Sequence, residues 1–65
     1  MVVTANGKPY EIGNETNVEG FIRLRGLDPQ LVVVELNGEA LERTRYGTPL
    51  AEGDRLELVR AVAGG

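Results

Sequence analysis

Two Asn-Gly dipeptides, Asn6-Gly7 and Asn37-Gly38, constrain the fold of this chain more than any other feature. Asn-Gly tolerates the positive φ angles of a two-residue type I′ turn, and each dipeptide lies between β-prone segments. The sequence therefore predicts two tight β-hairpins, one at the start of the chain and one near its middle.

The register of the first hairpin follows from the length of its turn. A two-residue turn places Val3 opposite Tyr10 and Ala5 opposite Lys8. The residues that then share one face are Val3, Ala5, Tyr10 and Ile12. Because Pro9 has no backbone N–H to donate to a neighbour, the second strand is predicted to lie at an edge of the sheet.

The second hairpin begins with an almost continuous apolar run over residues 31–36, which is typical of a buried strand. Its two-residue turn pairs Leu36 with Glu39 and Val34 with Leu41. The inward positions are Val32, Val34, Leu36 and Leu41, and the outward positions are Val33 and Glu35.

A short helix is predicted between the hairpins. Thr16 and Glu19 have the spacing of a capping box, in which Thr16 accepts a hydrogen bond from the Glu19 backbone N–H. The apolar stripe of this helix comprises Val18, Phe21, Ile22 and Leu24. Gly20 costs about 1 kcal/mol relative to alanine, and Gly26 is a natural residue to end the helix.

The last third of the chain is predicted to form a polar loop over residues 42–50 and a closing strand over residues 55–59. In that strand Leu56 and Leu58 face inward and Val59 faces outward. We treat Tyr10 and Tyr46 as packing residues. The solvated loop residues are Arg43 and Arg45.

Together these elements predict one α+β domain over residues 1–65, with a mixed sheet of four to five strands and one helix packed on one face. After Arg60 the residues are small, so we expect a mobile tail. Because the chain begins with Met1 and carries no tag, we expect its last residues to be native.

Composition excludes several classes of function. Seven basic and ten acidic residues give a net charge of -3, which disfavours binding to nucleic acid or to an anionic membrane. The chain has no cysteine, histidine or serine, and so lacks a thiolate nucleophile, the usual zinc ligands and a hydrolytic triad. We therefore expect a chain that is not an enzyme and binds no metal or cofactor.

The location of the protein follows from two further absences. The N-terminus lacks the basic and apolar regions of a signal peptide, and no apolar run approaches the roughly 20 residues that cross a bilayer. We expect a cytoplasmic protein.

The order of the elements resembles the β-grasp fold, whose best-known member is ubiquitin. The resemblance implies that the first and last strands lie side by side and parallel at the centre of the sheet. Periodicity alone does not predict this pairing.

The chain ends in Gly64-Gly65. Since neither residue has a Cβ atom, both can extend through a narrow channel into another protein, and the terminal carbonyl is minimally shielded. This ending resembles the reactive terminus of ubiquitin-like proteins and of bacterial sulfur carriers.

Within that group, nearly the whole chain is similar to the ThiS family of thiamine-biosynthesis sulfur carriers. The matching stretches are the opening strand with Asn6-Gly7, residues 32–39, residues 49–57 and Gly64-Gly65. The departures are Gly20 within the helix and Ala63 before the two terminal glycines.

The resemblance implies a mechanism centred on Gly65. A ThiF-like adenylyltransferase adenylates the Gly65 carboxylate, a persulfide donor converts it to a thiocarboxylate, and the thiazole synthase ThiG receives the sulfur. ATP and magnesium belong to the activating enzyme. The carrier is then a protein co-substrate without a bound cofactor, and we expect it to be a monomer when free.

The residues beside the tail are predicted to bind these partners. They are Val59, Arg60, Ala61, Val62 and Ala63, with Val33 exposed next to them. In the alternative reading, Val33 and Val59 are only β-formers on a solvated sheet surface.

Other functions share these features. The small subunit of molybdopterin synthase uses the same thiocarboxylate but is usually longer, and carriers for tRNA thiolation or cysteine synthesis are similar. A ubiquitin-like protein modifier would join Gly65 to a target lysine, although Lys8 is the only lysine available for polymers. A plain interaction module with an incidental glycine tail is the third class.

Overall fold

Both Asn-Gly dipeptides form the predicted hairpin turns in the computed structural model, which describes residues 1–61. The φ angles are +50° and +83° at Asn6 and Gly7, and +52° and +86° at Asn37 and Gly38. Positive φ at both central residues defines a type I′ turn, whose twist matches that of the flanking strands.

Five strands, one α-helix and two 3₁₀ helices make up the described part of the chain. They are β1 (Val2–Ala5), β2 (Lys8–Glu11), α1 (Val18–Leu24), a 3₁₀ helix (Pro29–Leu31), β3 (Val32–Leu36), β4 (Glu39–Leu41), a 3₁₀ helix (Arg43–Arg45) and β5 (Arg55–Arg60). The strand order is β2-β1-β5-β3-β4. Strand β1 runs parallel to β5, and the other neighbours are antiparallel.

This topology is the β-grasp arrangement that the resemblance implied, with the first and last strands parallel at the centre. The prediction that β2 is an edge strand is confirmed. So are both hairpin registers, including Val3 opposite Tyr10 and Val34 opposite Leu41. Strand β3 begins one residue later than the apolar run suggested, because Leu31 belongs to a 3₁₀ helix and is exposed.

One hydrophobic core lies between α1 and one face of the sheet. Its fully buried members include Val3, Val18, Phe21, Ile22, Val32, Val34 and Leu56. The prediction that Leu24 extends the apolar stripe is wrong, since its side chain is 67% exposed. At about 100° of rotation per residue, Leu24 lies roughly 110° around the helix from the centre of the stripe that Val18, Phe21 and Ile22 form.

The predicted capping box at the start of α1 is also wrong. The N-cap residue is Asn17, whose Oδ1 accepts a hydrogen bond from the Gly20 backbone N–H at 2.7 Å. Thr16 instead donates its hydroxyl to the carbonyl of Gly13 at 2.8 Å. A Cβ atom at residue 20 would lie 3.0 Å from the Asn17 Oδ1, so glycine leaves room for this cap.

Carbonyl groups from a distant loop take the remaining first-turn donors of α1. The backbone N–H of Val18 donates to Thr48 at 3.0 Å, and that of Glu19 donates to Tyr46 at 2.8 Å. Because the Glu19 backbone N–H already donates to Tyr46, it is not available to Thr16 for a capping box. The Glu19 carboxylate lies 3.6 Å from the Nε of Arg23 instead.

The loop over residues 42–50 contributes to the core as well. Tyr46 and Leu50 are buried, and the Tyr46 hydroxyl donates to the carbonyl of Val32 at 2.6 Å. Arg43 and Arg45 are exposed, as predicted, and Arg43 Nε also donates to the carbonyl of Pro29 at 3.2 Å. The packing role of Tyr10 is confirmed by its edge-on contact with Phe21, with ring centroids 5.6 Å apart.

Within residues 1–61 no helix is long and apolar enough to cross a membrane. The only α-helix in this range has seven residues.

Tyr46→Phe should lower the free energy of unfolding by about 1–2 kcal/mol, because the buried Val32 carbonyl loses its short hydrogen bond. Tyr10→Phe is the matched control, since the Tyr10 hydroxyl has no hydrogen-bond partner among residues 1–61. Urea unfolding of both variants measures the difference. Equal stability of the two variants would contradict the assigned role of the Tyr46 hydroxyl.

Candidate functional site

The predicted reactive end of the chain lies beyond β5. Four of the predicted site residues fall outside the described residues: Val62, Ala63, Gly64 and Gly65. The structure describes the other three, Val59, Arg60 and Ala61, which form the last part of β5 and the residue after it. The site can therefore be built up to Ala61, the last described residue.

Strand β5 is held up to this point by its pairing with β3, whereas its backbone pairing with β1 involves only Arg55 and Leu56. It lies between β1 and β3, and Val59 stands directly opposite Val33 on β3. One residue beyond the strand, the Ala61 backbone N–H donates to the carbonyl of Leu31 at 2.7 Å. The pairing with β3 therefore continues as far as Ala61.

Side-chain amides of the two turn asparagines also bind β5, which the sequence interpretation missed. Asn6 Oδ1 accepts from the Leu58 backbone N–H at 2.8 Å, and Asn6 Nδ2 donates to the Leu58 carbonyl at 3.1 Å. On the other side, Asn37 Oδ1 accepts from the Arg55 N–H at 2.9 Å, and its Nδ2 donates to Asp54 Oδ1 at 3.0 Å. The turn residues were predicted for their backbone angles, and only the strand order could have indicated this second role.

The face of the sheet opposite α1, here called the open face, carries an exposed apolar pair next to the tail. Val33 and Val59 are 48% and 61% exposed and lie directly opposite each other. Both alternate with inward residues, so they point away from the core. Val2, at the far end of β1, is the third exposed valine of this face, at 38%.

Two carboxylates stand beside the valine pair on the open face. Glu35 and Glu57 are direct cross-strand partners, and neither forms an ion pair with another residue of the range 1–61. Like charges in this position repel each other. A shallow depression of about 390 Å³ adjoins them, lined by Thr4, Gly7, Glu35, Gly38, Arg55, Leu56 and Glu57.

The structure separates two residues that the prediction placed on one surface. Val59 lies on the open face, whereas Arg60 is opposite the buried Val32 and therefore extends on the side that carries α1. The candidate partner surface is thus the Val33–Val59 pair with its neighbouring carboxylates. Arg60, the last residue of β5, extends on the opposite side of the sheet.

No group of three or more metal-ligating side chains is placed to hold a metal ion in the part of the chain that the structure describes.

The model of the ThiS family matches residues 3–65, which is nearly the entire chain. The chain belongs to the ThiS family. The match includes the predicted site from Val59 to Gly65, so the resemblance drawn from the turn and strand motifs is confirmed at the level of the family.

Solved structures of a ThiS-family protein have the same fold. The crystal structure of the thiamine biosynthesis protein ThiS from Geobacter metallireducens is 36% identical, with a TM-score of 0.81 and full coverage of both chains. Its solution structure gives a TM-score of 0.80 at 35% identity, covering all of this chain and 88% of that one. SAMP1 from Haloferax volcanii has a TM-score of 0.61 over 98% of this chain and 97% of that one, and at 20% identity it shows the shared fold alone.

A relative of a different size is a thiazole synthase from Magnetococcus marinus. It is 35% identical over 66 residues, which cover all of this chain. The chain spans only 20% of the length of that protein. A ThiS-like segment therefore occurs there within a much longer polypeptide.

Proposed function

We propose that this ThiS-family chain is a sulfur carrier for the thiazole ring of thiamine. The observation that carries the proposal is the family match through the terminal Gly64-Gly65. The structure supports it because the tail follows directly from β5, the central strand of the sheet. A rigid central strand gives the tail a fixed origin, and the glycines give it reach.

The chemistry takes place on the Gly65 carboxylate. One carboxylate oxygen attacks the α-phosphate of ATP and displaces pyrophosphate, which leaves an acyl-adenylate. The terminal sulfur of a persulfide then displaces AMP, and a thiol cleaves the resulting S–S bond to release the thiocarboxylate. The adenylyltransferase stabilises the charges that develop, so the carrier itself is a co-substrate and not a catalyst.

The thiocarboxylate then passes its sulfur to a thiazole synthase. The thiazole synthase of Magnetococcus marinus supports this partner, since a fifth of its length aligns with this chain. We place the cycle in the cytoplasm, where ATP is available. ATP and magnesium are substrates of the activating enzyme in this scheme.

The open face is the proposed contact surface for both enzymes. Val33 and Val59 offer an exposed apolar pair at the origin of the tail, and burying such a pair stabilises a complex. A partner with a basic side chain opposite Glu35 and Glu57 would also relieve their mutual repulsion. Since one tail serves both enzymes, they bind in turn.

The chemistry is tested by the intact mass of the chain after incubation with ATP, magnesium, the adenylyltransferase and a persulfide donor. We expect one oxygen to be replaced by one sulfur in the full-length chain. A variant that lacks Gly65 should keep its original mass. No change in the full-length chain, with an enzyme shown to activate another carrier, would contradict the proposal, and adducts to other proteins would indicate a modifier.

The contact surface is tested by Val59→Arg with Val2→Arg as its matched control. Both valines are exposed on the open face, and they lie about 20 Å apart along the strand direction. Val59→Arg should weaken binding of the adenylyltransferase at least tenfold, which is about 1.4 kcal/mol, while Val2→Arg should change it little.

Calorimetry measures both affinities, and thermal unfolding checks that the two variants are equally stable. Similar affinities for the two variants would remove the Val33–Val59 pair from the interface.

A further inference from the structure

The hydrogen-bonding pattern of β5 leaves one backbone position open at the origin of the tail. Antiparallel strands alternate between residues that bond to the partner strand and residues that point away from it. Asn37 donates to Arg55 and Ala61 donates to Leu31, which fixes the residues of β5 that bond toward β3. Leu56, Leu58 and Arg60 therefore direct their backbone N–H and C=O groups to the other side, where β1 lies.

Strand β1 and its turn satisfy the first two of these positions. The Asn6 backbone N–H donates to the carbonyl of Leu56 at 3.0 Å. The chain then turns away at Asn6, where φ is +50°. The Asn6 side-chain amide takes the place of continued strand pairing and bonds both polar groups of Leu58. A carboxamide can do this because one of its N–H groups and its C=O lie side by side, as do the N–H and C=O of a single residue in an extended strand.

Arg60 is the third position, and it has no such neighbour. Strand β1 has ended, and the Arg60 backbone N–H and C=O have no hydrogen-bond partner on that side among residues 1–61. Arg60 is exposed. A donor and an acceptor in strand geometry are thus unpaired within residues 1–61, at the last residue of β5.

We infer that this open edge at Arg60 is a strand-addition site for an extended backbone segment of the adenylyltransferase. A residue in an extended segment directs its own backbone N–H and C=O to the same side, one donor and one acceptor at the spacing that Arg60 presents, which neither a small anion nor a nucleic acid backbone offers. The identity of the partner rests on the proposed function. The site adjoins Val59, so it continues the proposed contact surface onto the edge of the same strand.

Asn6 fixes the register of this pairing. Because its amide occupies both polar groups of Leu58, an added segment cannot pair earlier on β5 and must begin at Arg60. The added segment would keep the last residue of β5 in the extended conformation. Recognition then depends on the backbone at position 60 and not on the arginine side chain.

Amide hydrogen exchange, followed residue by residue by NMR, tests the inference. The internal control is Ala40, which by the same alternation points its N–H away from β3 at the open β4 edge of the sheet. In the free chain both amides should exchange rapidly and the Leu58 amide slowly. With saturating adenylyltransferase the Arg60 amide should slow at least tenfold, whereas the Ala40 amide should not change.

A backbone ester at Arg60, introduced by chemical synthesis of the full chain, removes the N–H and keeps the side chain. It should weaken binding of the adenylyltransferase about five- to tenfold, the cost of one hydrogen bond. An ester at Ala40 is the matched control and should bind like the natural chain. Because neither N–H has a partner within residues 1–61, both esters should fold equally well.

The outcomes separate the inference from the function on which it rests. Binding of the natural chain without slower exchange at Arg60, or an Arg60 ester that binds normally, would overturn strand addition and leave the sulfur-carrier proposal intact. Failure of the natural chain to bind the enzyme would overturn both.

Discussion

The structure depends on how β5 is held at the centre of the sheet. Its backbone pairs with β1 on one side and β3 on the other, and side-chain amides add two hydrogen bonds from Asn6 on the β1 side and one from Asn37 on the β3 side. Each such bond contributes only about 1 kcal/mol. Together they fix the strand from which the tail departs, and they join both hairpin turns to the same element.

The helix α1 and the loop over residues 42–50 complete a single hydrophobic core on one face of the sheet. The helix α1 covers one face of the sheet, and loop carbonyls at Tyr46 and Thr48 bond to its first turn, so that the loop, the helix and the sheet stabilise each other. Within residues 1–61 no element covers the opposite face, and two of its exposed valines, Val33 and Val59, lie near the end of β5. The side of the sheet that the core leaves open is therefore the side available to a partner.

The sequence predicted the hairpins and their registers because a two-residue turn determines which residues stand opposite each other. It did not predict the N-cap at Asn17, since the competing hydrogen bonds of Glu19 come from a loop almost thirty residues away. The parallel pairing of β1 and β5 came from the family resemblance, as periodicity contains no information about which strands are neighbours. Alternation along β5 separates Val59 from Arg60, a distinction that the prediction of a single surface overlooked.

The candidate site was predictable in part. The terminal glycines are visible in the sequence, and the chemistry proposed for them rests on the family match. The position of the end of β5 relative to the Val33–Val59 pair required the strand order, and the amide of Asn6 could be assigned to Leu58 only once β1 and β5 were known to be neighbours. Local sequence patterns do not indicate which distant strands are neighbours in the sheet, and both assignments depend on that order.

The most direct test of the sulfur-carrier role is to follow the sulfur atom itself. The thiocarboxylate form of the chain, labelled with a sulfur isotope, would be given to the thiazole synthase together with its other substrates, and the product would be analysed by mass spectrometry. The proposed role predicts labelled thiazole and return of the chain to its carboxylate form. Unlabelled thiazole, or transfer of the label only to a molybdopterin synthase, would contradict it.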